Sequence, residues 1–256
     1  MKTIYFTLIF TFCNILLFAQ TPAELIKISN DKIAIGDMEM TSTINIEDGK
    51  GNVRTRKITT VSAKFADCTK RMIRFLSPAE VQGTALLIYD YEDQSDNLWI
   101  YMPALRKVRR ILSTEKGKNF MGSEFTNADM TQPNADDFNY SDTGNKTIDG
   151  KTCRMIVSTC KTEAITQENN FSKKISYIDK NDNLCYRIEY FDLKGKLSRI
   201  QHISNYQKQS NGKYFAMKMV MENVINGRKS TLITDKIQIG NTRKENYFTP
   251  ANLEKQ

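Results

Sequence analysis

The chain has 256 residues, a formal net charge of +8 and 40% hydrophobic residues. That is enough for one large all-β domain or two small domains with a core that needs no disulfide staples. Its basic residues are scattered, which argues against a nucleic-acid surface, whereas modest positive charge suits contact with anionic lipid headgroups or an acidic partner.

The first residues carry an export pattern. Lys2 precedes an almost wholly apolar run from Ile4 to Phe18, followed by the small Ala19 and the polar Gln20-Thr21-Pro22. The run is short for a bilayer span and reads as a secretory signal peptide over residues 1–19. Cys13 does not fit lipidation, because the bulky Phe12 stands directly before it. Residues 20–256 are expected to form a single domain. It retains Cys68, Cys153, Cys160 and Cys185, with no CxxC pair. On one uninterrupted strand Cys153 and Cys160 would lie about 23 Å apart and could not pair. Free thiols and disulfides both remain open.

Thr21, Pro22 and Glu24 form a helix start, and Leu25, Ile28 and Ile33 give an apolar stripe ending at Gly36. Strand patterns follow. Met38, Met40, Ile44 and Ile46 alternate with polar residues, and Asp48-Gly49-Lys50-Gly51 turns the chain into residues 53–65. Further strands are expected at 69–76, 84–90, 98–102, 152–159, 171–179, 184–191, 197–206, 214–222 and 228–239. That makes about eleven strands with short turns and no strand–helix alternation, hence an antiparallel meander rather than a doubly wound sheet. A sheet that long is expected to curl, with residues 22–35 and 103–135 available to cover its apolar side.

The segment from Leu98 to Met130 carries the most information. Trp99 and Tyr101 lie on a short aromatic strand that meets Pro103, and the basic residues Arg106, Lys107, Arg109 and Arg110 follow. Then comes the apolar patch Phe120-Met121-Gly122-Ser123-Glu124-Phe125, with Gly117 and Gly122 bracketing Phe120 and Met121 as a movable lid would require. This composition suits something apolar with an anionic edge. Methionine adds to it: Met217, Met219 and Met221 share one strand face with Phe215, and methionine adapts to heterogeneous apolar ligands.

Catalytic chemistry is harder to assemble. His202 is the only histidine and falls within an expected strand, so a histidine relay has one candidate. Asp179, Asn181 and Asn183 open like a calcium loop, but Leu184 stands where its glycine belongs and Tyr190 where its glutamate belongs. No catalytic, cofactor-binding or metal-binding residue is assigned, and the chain is expected not to be an enzyme.

Gly83-Thr84-Ala85, the run Trp99 to Ile111, Phe120 to Phe125 and Asp129 together resemble the outer membrane lipoprotein-sorting family, the LolA-like group. Weaker matches follow at Gly150 to Cys153, Glu189 to Asp192 and Phe248-Thr249-Pro250. Two departures stand out: Glu124 where an aspartate is common, and Asn127-Ala128 in place of a Tyr-Glu pair. The resemblance implies a mainly β, LolA/LolB-like fold: a curved antiparallel sheet forming a half-closed barrel, covered by helices and a long loop. It implies a soluble protein of a Gram-negative periplasm that carries lipid or lipoprotein between inner and outer membranes through an apolar cavity. The alternative is a lipid-binding sensor or accessory module of an inner-membrane transporter, without cargo transfer. Expected partners are an acyl lipid or lipoprotein and a membrane-anchored acceptor or transporter, with peripheral membrane contact and no nucleic acid. Trp99, Tyr101, Phe120, Met121, Phe125, Met217 and Met219 are the expected ligand contacts. Arg106, Lys107, Arg109 and Arg110 are the expected headgroup or partner contacts.

Overall fold

The structure is a computed structural model and describes residues 20–240 and 243–255. The expected signal peptide at residues 1–19 lies outside the described residues. Helix α1 spans Pro22–Ile33 behind a capping box, in which Thr21 accepts from the Glu24 N–H and the Glu24 carboxylate accepts from the Thr21 N–H. The helix ends at Ala34 in extended conformation, before Gly36. Gly36 serves a different purpose: a Cβ there would stand 2.7 Å from the Lys64 Cβ.

The strands are β1 (Met38–Glu47), β2 (Val53–Lys64), β3 (Thr69–Ser77), β4 (Ala85–Asp90), β5 (Asn97–Met102), β6 (Lys107–Ile111) and β7 (Phe138–Ile148). They continue as β8 (Lys151–Cys160), β9 (Lys173–Asp179), β10 (Cys185–Phe191), β11 (Leu197–Lys208), β12 (Tyr214–Asn223) and β13 (Lys229–Ile239). A short helix α2, Glu163–Asn169, capped by Thr162, links β8 to β9. All thirteen strands form one antiparallel sheet in the order β6-β5-β4-β3-β2-β1-β13-β12-β11-β10-β9-β8-β7. Two meanders, β1 to β6 and β7 to β13, are joined at the centre by the β1–β13 pair.

This order corrects the expected half-closed barrel of about eleven strands. The sheet is open, neither closed nor strongly curled, and its edge strands β6 and β7 each pair with one neighbour only. Closure is unnecessary because other parts of the chain cover the apolar surface. The two strands absent from the sequence reading are the two edges. Only Ile111 is buried in β6, and only Phe138 and Ile148 in β7, so neither carries the alternation that marks a half-buried strand.

The two faces are covered differently. On one face, Ile44, Ile58, Ile73, Phe75, Leu86, Ile88 and Leu98 pack under Phe120 of the segment that follows β6. Further along the same face, Leu25 and Ile26 of α1 rest on Ile156 and Ile178. On the opposite face, Val61, Met72, Ala85 and Leu87 are sealed by Phe248 and Leu253 of the C-terminal segment. Lys70 closes that seal: its ammonium pairs with Glu245 and lies 4.4 Å from the Tyr89 ring centroid.

Cys68, Cys153, Cys160 and Cys185 are all free thiols. Burial pushes Cys68 and Cys153 up to about 11 and Cys185 to about 12, well away from the reactive thiolate.

Candidate functional site

The segment of residues 112–137, called the linker below, joins β6 to β7 and therefore has to run from one edge of the sheet to the other. Thirteen strands at ~4.8 Å spacing span roughly 60 Å, within reach of the linker's ~90 Å maximum contour. A crossing segment buries backbone groups that need partners. Some are satisfied internally: the Phe120 N–H donates to the Phe125 carbonyl at 2.7 Å, and Met121 (φ 49) and Gly122 (φ 75) make the tight left-handed turn between them.

Several carbonyls are met by four arginines, three on sheet strands and one just before β13. Arg56 on β2 donates to the Met121 carbonyl and Arg71 on β3 to the Met130 carbonyl. Arg228, just before β13, donates to the Gly122 carbonyl at 2.9 Å and pairs with Glu124 at 2.7 Å. Arg199 on β11 donates to the Glu124 carbonyl at 3.2 Å and pairs with Asp129 at 2.9 Å. Glu124 is 2% exposed, its second oxygen accepts from Asn223 at 2.9 Å, and its N–H donates to Ser230. The glutamate that departs from the family pattern is thus fully engaged. Asn127, at the other departure, donates to the Glu115 carbonyl.

Two further attachments hold the linker. Lys116, nearly buried, pairs with Asp96 of the β4–β5 turn at 3.3 Å and with Glu168 of α2. Beside it Gly117 allows a close approach, since a Cβ there would stand 2.5 Å from the Asn170 Cβ. Asp90, at the end of β4, accepts from the Gln132 N–H at 3.0 Å and lies 4.0 Å from Arg71. Burial is the main influence on Asp90 and raises its pKa to about 6, against the opposing pull of Arg71.

Between α1, the linker and strands β7 to β12 lies a cleft of about 300 Å³. Ile26 and Ile33 of α1 form one wall and Ala128, Thr131 and Pro133 of the linker another. The floor includes Phe138, Tyr140, Phe171, Ile178, Ile188, Tyr190, Ile203, Phe215 and Met219. Phe138 stacks on Phe171 at 6.2 Å, and Phe171 meets Tyr190 edge-on at 5.5 Å. The volume sits at the lower end of the ~300–1,000 Å³ typical of small-molecule sites, and a mostly apolar lining with a few polar groups is the usual composition. Ser158, Lys174, Ser176 and Gln201 are the polar groups that the strands contribute, and Asp129 comes from the linker.

The sequence-derived contact residues fall into separate places. Met219 lines the cleft. Met217 shares its strand face by period two and is half-buried. Phe125 belongs to the cluster of Phe138, Phe171, Tyr190 and Met221 that backs the cleft. Phe120 and Met121 pack instead over the β1–β6 half, with Phe120 5.7 Å from the Phe75 ring. Trp99 and Tyr101 lie on the opposite face, beneath Phe248, with Trp99 5.0 Å from Tyr89. Arg106, Lys107, Arg109 and Arg110 lie on or just before edge strand β6, at the far edge of the sheet from the cleft. Arg109 pairs with Glu115 at 2.8 Å, and Arg110 donates to Asn97.

Lys174, Ser158 and the aromatic floor were not singled out in the sequence. The available signal was that Lys174, Ser176 and Ile178 share one strand face, but Lys173 directly before Lys174 makes the pair look like an ordinary wet strand end. His202 sits on β11 opposite Val220 of β12. Among the described residues no group of three or more His, Cys, Asp or Glu side chains is placed to hold a metal ion, and no helix is long and apolar enough to cross a membrane.

Comparison with known proteins places this architecture. The chain has the fold of LolA-like proteins. A putative outer membrane lipoprotein-sorting protein domain from Vibrio parahaemolyticus superposes with a TM-score of 0.84 at 24% identity, covering 91% of this chain and 98% of its own. A DUF1329 family protein from Desulfovibrio piger gives 0.83 at 26% identity, covering 91% of this chain and 100% of its own. A LolA superfamily protein from Nitrosomonas europaea gives 0.71 at 17% identity, covering 90% and 98%. Residues 67–255 match a protein family described as uncharacterized, and the chain belongs to that family. No curated protein matches it.

Two measurements test the linker's attachment. Arg199 and Asp129 are each 12% exposed, so removing one partner strands a largely desolvated charge. Arg199→Met is expected to cost roughly 3 kcal/mol in denaturant unfolding and to speed limited proteolysis between residues 120 and 130. Unchanged stability and cleavage would show that the clamp does not hold the linker. Asp90 titrates near 3.8 when unperturbed and at about 6 here, so the folded state binds its proton more readily than the unfolded state. The stability it contributes is therefore present below about pH 4 and is lost as pH rises through about 6. Relative to Asp90→Asn, the wild type should be more stable at pH 4 than at pH 7 by on the order of 2 kcal/mol. Parallel unfolding profiles of the two proteins across that range would contradict the assignment.

Proposed function

We propose that this protein is a periplasmic carrier or chaperone for lipids or lipoproteins, receiving acyl chains in the cleft between α1, the linker and strands β7 to β12. The observation that carries this reading is the cleft itself, an apolar space with an aromatic floor and two of its walls made from segments outside the sheet. Burying an acyl chain there gains about 0.8 kcal/mol per methylene removed from water. The export pattern of residues 1–19 and the sorting role in the name of the Vibrio parahaemolyticus relative support the same compartment and cargo class.

Transfer requires that cargo enter and leave. The linker is held by hydrogen bonds and ion pairs rather than by a covalent tie, so partial release of the segment around Ala128 to Pro133 widens the cleft without unfolding the sheet. The basic residues Arg106, Lys107, Arg109 and Arg110 then belong to docking rather than to the cavity. Their place on an edge strand suits contact with an anionic membrane surface or an acidic partner and also blunts edge-to-edge association.

Gently purified protein should show co-purifying acyl species in native mass spectrometry, and delipidated protein should take up an apolar fluorescent dye that added lipid displaces. A bare polypeptide mass together with no dye uptake would overturn the carrier reading.

A further inference from the structure

We propose that Lys174 and Ser158 form an anchor for the anionic head of a single-chain amphiphile, a carboxylate or a phosphate, whose acyl tail lies along the aromatic floor of the cleft. This rests on the carrier reading and adds the polarity of its ligand. The two residues are direct cross-strand partners, Ser158 on β8 and Lys174 on β9, and the same register continues to Tyr140 on β7 and Tyr190 on β10. Side chains directly opposite on one face of a sheet lie within about 5 Å at Cβ, and both residues line the cleft.

Lys174 forms no ion pair among the described residues. Its contacts are aromatic: the ammonium lies 5.1 Å from the Phe138 ring centroid and 5.8 Å from that of Phe171. Asp129, whose field reaches it, is already engaged, because its Oδ2 accepts from the Thr126 N–H at 2.7 Å and from Arg199 at 2.9 Å. Asp129 also lines the cleft, but its ion pair is with Arg199, so Lys174 is the cation of the cleft lining that has no ion pair of its own. Burial depresses its pKa, outweighing the opposing pull of Asp129, which is the direction expected of an ammonium that has lost water without gaining an ion pair.

Ser158 supplies the second, independent observation. It is 0% exposed, lines the cleft, and its Oγ has no hydrogen-bond partner. A buried hydroxyl without a partner carries a desolvation cost. One anionic oxygen placed between Lys174 and Ser158 removes both costs at once, accepting from the ammonium and from the hydroxyl. The neighbouring polar groups are already committed: the Tyr140 hydroxyl donates to the Ala135 carbonyl and the Tyr190 hydroxyl to Gln201. The cleft therefore offers one anion position at the edge of a long apolar surface, which is the polarity of a fatty acid or a monoalkyl phosphate.

Equilibrium titration with dodecanoate, dodecyl phosphate and dodecanol, each displacing an apolar fluorescent dye, tests this. The wild type should bind at least one of the two anions about tenfold or more tighter than dodecanol at neutral pH, since charge-assisted hydrogen bonds discriminate on that scale. Which anion is favoured distinguishes a carboxylate head from a phosphate head. Lys174→Met should lose the preference while retaining dodecanol affinity, and Lys174→Arg should restore it, with thermal unfolding confirming that both variants fold. Equal affinity of the wild type for dodecanol and both anions would overturn the anchor alone, as would a Lys174→Met variant that keeps the preference. Failure of the folded wild type to bind any of the three would overturn the carrier reading, and the anchor with it.

Discussion

The strand order makes one demand that shapes the rest of the molecule. β6 and β7 follow each other in sequence but occupy opposite edges of a thirteen-stranded sheet, so the linker between them has to traverse a face. A backbone lying across an apolar sheet is expensive unless its carbonyls find donors. Arg56, Arg71, Arg199 and Arg228 supply them from four separate places on that face. Guanidinium suits the task because it stays charged and presents several donors in a rigid plane, so Arg199 and Arg228 each serve a carbonyl and a carboxylate together. The acids Glu124 and Asp129 travel with the linker and offset the charge that the clamp would otherwise bury. The crossing also creates the cleft, because the linker and α1 rise over β7 to β12 without filling the space beneath them.

The two faces show what that difference means for function. The C-terminal segment packs Phe248 and Leu253, both fully buried, directly onto strands β2 to β5 of the opposite face, so that part is core. On the linker face the β1–β6 half is also sealed, by Phe120 against Phe75 and the isoleucines around it. The β7–β12 half retains the open cleft, and there the lining mixes aromatic rings with polar groups such as Lys174 and the unpartnered Ser158 instead of interdigitated aliphatic side chains. Apolar packing holds Phe120 and Phe125 of the linker down, while Ala128 to Pro133, which border the cleft, are held chiefly by the polar contacts of Asp129, Met130 and Gln132.

Much of the sheet was legible because its inner strands alternate cleanly. Met38 to Ile46 and the hairpin around Asp48-Gly49 carry period-two and turn signals that survive into the structure. The helix start at Thr21 was equally plain, since a capping box is written in four adjacent residues. The edges were not legible, because an edge strand has one neighbour, little burial and a premium on charge; β6 reads as a basic cluster and β7 as a polar loop. The openness of the sheet depends on which segments cover its faces, and no local pattern records that. The candidate contacts divided for a related reason. Trp99 and Phe120 are close in sequence and similar in chemistry, yet the face of Trp99 follows from its register on β5 and that of Phe120 from the path of the linker. Lys174 was hidden because a lysine's role depends on whether an acid lies beside it, which only the assembled strands reveal.

The central claim is that cargo occupies the cleft of β7 to β12 beneath α1 and the linker, and not the aromatic surface around Trp99. Photolabelling the native protein with an acyl chain bearing a diazirine near its end, followed by peptide mass spectrometry, addresses it directly. The account predicts labels on peptides containing Phe138 to Tyr140, Phe171 to Ile178 and Tyr214 to Met219, suppressed by excess unlabelled lipid. Competed labels confined to the peptides of Trp99 and Tyr101 or of the C-terminal segment would contradict it.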